Sequence, residues 1–122
     1  MAGAAAFAQP VLLRDDGSAR QVIVLDQRDW LGEEAKEEAR AALSDMLAQA
    51  ESDDRIAVVQ IGGDRPAREG AEWTVLPSET DLADALLDAQ AEIAPSERGR
   101  IVVIADPRNR SAEWQDAREV IA

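Results

Sequence analysis

The chain contains no cysteine, no histidine and no tyrosine, and it carries a single lysine, Lys36. Without cysteine there are no disulfides, thiolate metal sites or thiol nucleophiles; without histidine there are no imidazole bases and no His-ligated metals. Any chemistry must use Asp, Glu, Ser, Thr, Arg, Lys36 or the backbone, which removes most enzyme classes. Positive charge is also scarce. Lys and Arg number 13 against 25 Asp and Glu, for a net charge of −12. That balance argues against nucleic acid as a partner and against an anionic membrane surface. Long hydrophobic runs are missing too. The apolar start, residues 1–8, is far short of the about 20 residues a membrane helix needs.

What is present is enough for one domain. A chain of 122 residues buries roughly two-thirds of its unfolded surface on folding and needs no covalent staples. Residues 1–19 read as an apolar and loop-like lead-in, and 20–122 as the domain proper. Ala6-Phe7-Ala8 would suit a signal-peptidase site, but no basic segment precedes it. Two readings of the lead-in stand: a frayed Ala-rich terminus, or the end of a membrane segment whose tether lies upstream of residue 1. The lack of cysteine suits cytoplasm and periplasm alike.

Three runs are continuously apolar: Val22-Ile23-Val24-Leu25, Ile56-Ala57-Val58-Val59 and Ile101-Val102-Val103-Ile104. Unbroken β-branched runs of this length fit strands covered on both faces, as in parallel sheets. Between the first two, Ala35, Ala39, Ala42, Leu43, Met46, Leu47 and Ala50 recur at helical spacing, predicting a helix over 33–51. Glu33, Glu34, Glu37 and Glu38 crowd its start, where the helix dipole favours negative charge. A second helix is predicted over 80–93, with Ser78 and Asp81 at capping-box spacing. Glu72-Trp73-Thr74-Val75-Leu76 alternates between two turn signals and predicts a short antiparallel edge strand reached by a hairpin. A third helix is predicted from Ser111 onward. The order implies a three-layer α/β fold of the doubly wound, Rossmann-like kind, with a mostly parallel sheet.

Asp26 directly follows the first apolar run and Asp106 closely follows the last. Ligands of open α/β sheets bind beyond the carboxyl ends of the strands, so both carboxylates are candidates for the functional rim. The plainer role for each is to cap the loop or helix that follows.

From these residues the chain resembles a von Willebrand factor A domain over nearly all of 20–122. Members of that family have an apolar strand ending in Asp-x-Ser-x-Ser, an amphipathic helix, a second strand, a Thr-Asp-Leu opening a helix, and a strand ending in Thr-Asp-Gly. The corresponding text here is Val22 to Trp30, then 35–47, Asp54 to Val59, Thr80-Asp81-Leu82, and Arg100 to Pro107. In the family, the serines, the threonine and the two aspartates hold Mg²⁺ through oxygen ligands and leave one position for a partner's carboxylate, consistent with the hard-oxygen octahedron this ion prefers. Asp26, Thr80 and Asp106 are retained. Arg28 and Trp30 replace the serines, and Pro107 replaces the usual glycine.

The resemblance therefore implies a degenerate, metal-free site; any residual weak Mg²⁺ binding would fall to Asp26, Thr80 and Asp106, with Asp29 as a substitute ligand. Arg28 could bridge Asp26 and Asp106 as an internal cation, or point into solvent from its loop. Trp30, beside Asp29, could serve a partner protein as a hot spot or fold back over the site. Trp73 and Trp114 suit packing. Complete family domains continue for two more strands and helices, so the resemblance implies a C-terminally truncated domain with the last strand as an open edge. The junction Ala8-Gln9-Pro10-Val11-Leu12 resembles that of bacterial aerotolerance-type (Bat-like) membrane proteins, whose A domain closely follows a membrane segment.

Two functions follow as expectations. The first is a non-catalytic module that binds another protein at the rim formed by Asp26, Arg28, Asp29, Trp30, Thr80 and Asp106. The second is an Asp26-dependent hydrolase or phosphotransfer enzyme. Such enzymes need a second aspartate two residues on, or an acidic pair with a late lysine. Position 28 is Arg, Lys36 lies within the first helix, and Gly62-Gly63-Asp64 lacks the spacing of a phosphate-binding loop.

Overall fold

Three strands lie parallel in the centre of the molecule because their side chains are apolar on both faces. A computed structural model describes residues 9–15, 20–28, 32–49, 55–64, 72–95 and 98–105. Its elements are β1 (Gln9–Asp15), β2 (Arg20–Asp26), α1 (Glu33–Gln49), β3 (Arg55–Ile61), β4 (Glu72–Leu76), α2 (Leu82–Ala91) and β5 (Gly99–Ala105). The sheet order is β1-β5-β2-β3-β4. β5, β2, β3 and β4 run parallel, and β1 pairs antiparallel with β5. The protein is thus an α/β structure compatible with a Rossmann-like fold. No helix among the described residues is long and apolar enough to cross a membrane.

The three apolar runs become β2, β3 and β5, and alternate residues of each enter opposite cores. Val22, Val24, Val59, Ile101 and Val103 pack with Leu82, Leu86 and Ala89 of α2. Ile23, Leu25, Val58 and Ile104 pack with Ala39 and Leu43 of α1. Each Val, Leu or Ile so buried contributes about 1.5–3 kcal/mol. The helices therefore cover opposite faces. The chain leaves β2 toward β3 and β4 on one side and returns through α2 to β5 on the other. β2 and β5 are neighbours, and the topological switch point lies between their carboxyl ends.

Four expectations need correction. β4 is parallel to β3, with Ala57 opposite Glu72 and Ile61 opposite Leu76, so the two strands are not the arms of a hairpin. Gln9–Asp15, placed by its composition in the lead-in, is a strand whose register runs from Gln9 opposite Ala105 to Asp15 opposite Arg100, with an irregularity between Leu12 and Arg14. Pro10 is tolerated there because β1 is an edge strand. The β5 edge is consequently paired by this same chain rather than open. Finally, α2 begins later than the spacing of Ser78 predicts: Asp81 is its N-cap, with extended backbone and no side-chain capping bond. The helix predicted from Ser111, together with Trp114, lies outside the described residues.

Candidate functional site at the strand ends

Past their last ladder bonds, β2, β3 and β4 remain tied together. The Gln27 amide donates to the Ile61 carbonyl at 2.9 Å, and the Gly62 amide donates to the Leu76 carbonyl at 2.9 Å. Gly62 and Gly63 make the turn that this needs, with φ of 72° and 75°, a region L-residues enter only with strain. A Cβ on Gly62 would lie 3.0 Å from the Gln27 carbonyl oxygen and 3.0 Å from Ser78 Oγ. The rim is therefore close-packed backbone from three loops: 27–28, 62–64 and 77–81.

Asp26 and Arg28 are set into this rim, 1% and 4% exposed. Arg28 Nε donates to Asp26 Oδ1 at 2.8 Å and Nη2 donates to Oδ2 at 2.7 Å, while the Arg28 backbone N–H reaches Oδ1 at 3.1 Å. This is the fork geometry in which guanidinium and carboxylate bind best. The alternative of an Arg28 pointing into solvent does not describe this side chain. Asp106, the other carboxylate of the expected bridge, lies outside the described residues, as do Asp29 and Trp30. Thr80 is at the same end of the sheet, half-buried in the loop before α2, with its amide bonded to the Pro77 carbonyl at 3.0 Å. Among the described residues no hydrogen bond joins it to Asp26.

The pair determines what Asp26 can do. Three of its roughly four acceptor positions are taken by Arg28. A divalent cation would need the same lone pairs and would sit beside a fixed positive charge, so Asp26, paired in this way, does not fit Mg²⁺. Among the described residues no group of three or more acidic side chains is placed to hold a metal. As a nucleophile, Asp26 would have to break the same bonds.

A second polar cluster occupies the α1 side of the rim and carries no motif in the sequence. Gln27 and Gln60 are each 2% exposed. Gln27 Nε2 donates to the carbonyls of Asp26 and Lys36 at 3.0 and 3.1 Å, and its Oε1 accepts from Arg40 Nη1 at 2.6 Å. Gln60 Nε2 donates to the carbonyls of Gly62 and Asp64, and its Oε1 accepts from Trp73 Nε1 at 3.0 Å. Trp73 does pack on the α1-side core, and it also orients Gln60. The one available signal was Gln60 itself, a polar residue interrupting an apolar strand that is covered on both faces. Comparison with protein-family models, curated proteins and solved structures finds no match to this chain.

Proposed function

We propose that this chain is a non-catalytic interaction module of von Willebrand A type that receives a partner protein at the carboxyl-end rim of its sheet, with Arg28 standing where the family carries a metal ion. The observation that supports this reading is the buried bidentate Asp26–Arg28 pair at the switch point. It neutralises the first strand-end carboxylate from within, so Asp26 needs no cation to be stable and is not free for phosphotransfer or hydrolysis. Contact then falls to the other residues that the resemblance assigns to the rim, Asp29, Trp30, Thr80 and Asp106, with Trp30 as the anchoring aromatic.

Photocrosslinking tests this in the full chain. A benzophenone amino acid at position 30 or at exposed Glu79 is expected to give a discrete adduct with one protein in the producing cell. The same group at exposed Gln49, at the far end of α1, is expected to give none. Equal labelling from position 49, or a covalent phosphoryl adduct on Asp26 after incubation with acetyl phosphate and Mg²⁺, overturns the reading.

A further inference from the structure

On the α1 face of the sheet, α1 packs over β2 and β5, and beside it a cleft of about 330 Å³ opens toward β3 and β4. We propose that this cleft binds a small aromatic monocarboxylate, its carboxylate held by Lys36 and Arg40 and its ring against Trp73. The cleft is separate from the Asp26–Arg28 pair: strand alternation sends Leu25 and Gln27 to this side and Asp26 to the other.

The chemistry follows from which wall groups are already satisfied. Both buried glutamines spend their amides on backbone carbonyls, Arg40 and Trp73. They make a rigid wall rather than a ligand-seeking one. Lys36 differs. Its side chain is only 15% exposed, yet its ammonium makes no hydrogen bond with a described residue. Among the described residues its one counter-ion is Glu33 Oε2 at 3.7 Å, on a side chain that is 80% exposed, a pairing that contributes little. Arg40 follows Lys36 by one helical turn and lines the same cleft. Like charges at this spacing destabilise a helix, and an anion between them removes that repulsion.

The remaining lining selects among anions. Leu25 and Leu43 supply an apolar floor, and the indole of Trp73 is fixed by its bond to Gln60. Glu33 and Asp64 stand at the edge and oppose a multiply charged group such as phosphate. A single carboxylate on a flat apolar body satisfies all of these at once, and the volume suits a ligand at the small end of the usual range.

Benzoate, benzamide and inorganic phosphate are the probes, and the readout is the Trp73 indole N–H resonance in ¹⁵N-labelled protein, assigned with Trp73→Phe. Benzoate is expected to shift it saturably, with a dissociation constant of order millimolar. Lys36→Met, which keeps the apolar stem, is expected to weaken binding by roughly tenfold. Benzamide and phosphate are each expected to bind several-fold more weakly than benzoate. The proposal fails if benzamide equals benzoate, if phosphate equals benzoate, if no probe saturates, or if a folded Lys36→Met binds as tightly as the wild type. The comparison of benzoate with benzamide on the wild-type chain decides the matter even if the variant does not fold.

Discussion

Asp26 and Arg28, two residues apart at the carboxyl end of β2, form a closed ion pair with both carboxylate oxygens engaged at 2.7–2.8 Å and almost no exposure to solvent. Strand alternation puts both side chains on the same side of the chain. The backbone N–H of Arg28 adds a third bond to the carboxylate, so chain direction and side-chain pairing are set together.

Removing the cation alone should be expensive. Arg28→Ala leaves Asp26 buried without its counter-charge, and the expected loss is about 3–5 kcal/mol. Replacing both partners with apolar residues, as in Asp26→Leu with Arg28→Met, should cost much less, because no charge is then left unpaired. Urea unfolding of the wild type and both variants checks this. Equal losses in the two variants would show that the pair acts by shape rather than charge.

Millimolar Mg²⁺ or Mn²⁺ should leave the melting temperature of the wild type unchanged, since Arg28 already holds the lone pairs an ion would use. If the von Willebrand A reading holds, placing serines at both positions with Arg28→Ser and Trp30→Ser should create a metal-dependent rise, because a ligand bound only to the native state stabilises it by mass action. Thermal unfolding over a metal titration gives both results. A saturable rise in the wild type would sink the assignment of Arg28 as internal cation.

At the opposite end of β2, Arg20 is buried and donates to Glu72 Oε2 at 2.9 Å, to Glu92 Oε1 at 3.3 Å and to the Glu92 carbonyl at 3.1 Å. It ties the start of β4 to the end of α2. The hydrogen bond and charge of Arg20 hold the Glu72 carboxyl below its ordinary value of 4.5, aided by Arg55. A carboxyl whose folded pKa is depressed contributes stability that is present above the unfolded value and is lost as pH falls through the folded one. Glu72→Gln should therefore lower stability modestly near neutrality, where the exposed pair contributes, and flatten the acid limb below about pH 4.5, so that variant and wild type converge in acid. Thermal unfolding across an acid series measures it; parallel curves would refute the coupling.

Gly62→Ala should destabilise the rim by roughly 1–2 kcal/mol for its left-handed backbone alone, with more from the 3.0 Å approach to the Gln27 carbonyl and Ser78 Oγ. Chemical denaturation gives the loss. A neutral substitution would mean the 62–64 turn can reshape without disturbing the strand ends.

The amino-acid order was sufficient wherever the determinant was local. Unbroken Val/Ile runs specified β2, β3 and β5, because only a strand covered on both faces can bury every side chain of such a run. The apolar spacing from Ala35 to Leu47 specified α1, and the position of Asp26 after the first run placed it on the rim.

The tertiary structure decided everything that depended on a distant partner. Gln9–Asp15 carries weak strand character of its own and becomes β1 because β5 offers an unpaired edge. Glu72–Leu76 alternates as a hairpin strand would, yet it runs parallel to β3, because alternation reports which faces are covered and not strand direction. Gln27 with Arg40, and Gln60 with Trp73, form buried polar pairings that no motif announces, since amides become informative only when burial leaves them a few specific partners. Absence of histidine and cysteine narrowed the chemistry from the start. Packing alone determined that Arg28 lies sealed against Asp26 and that the single lysine, Lys36, flanks a cleft.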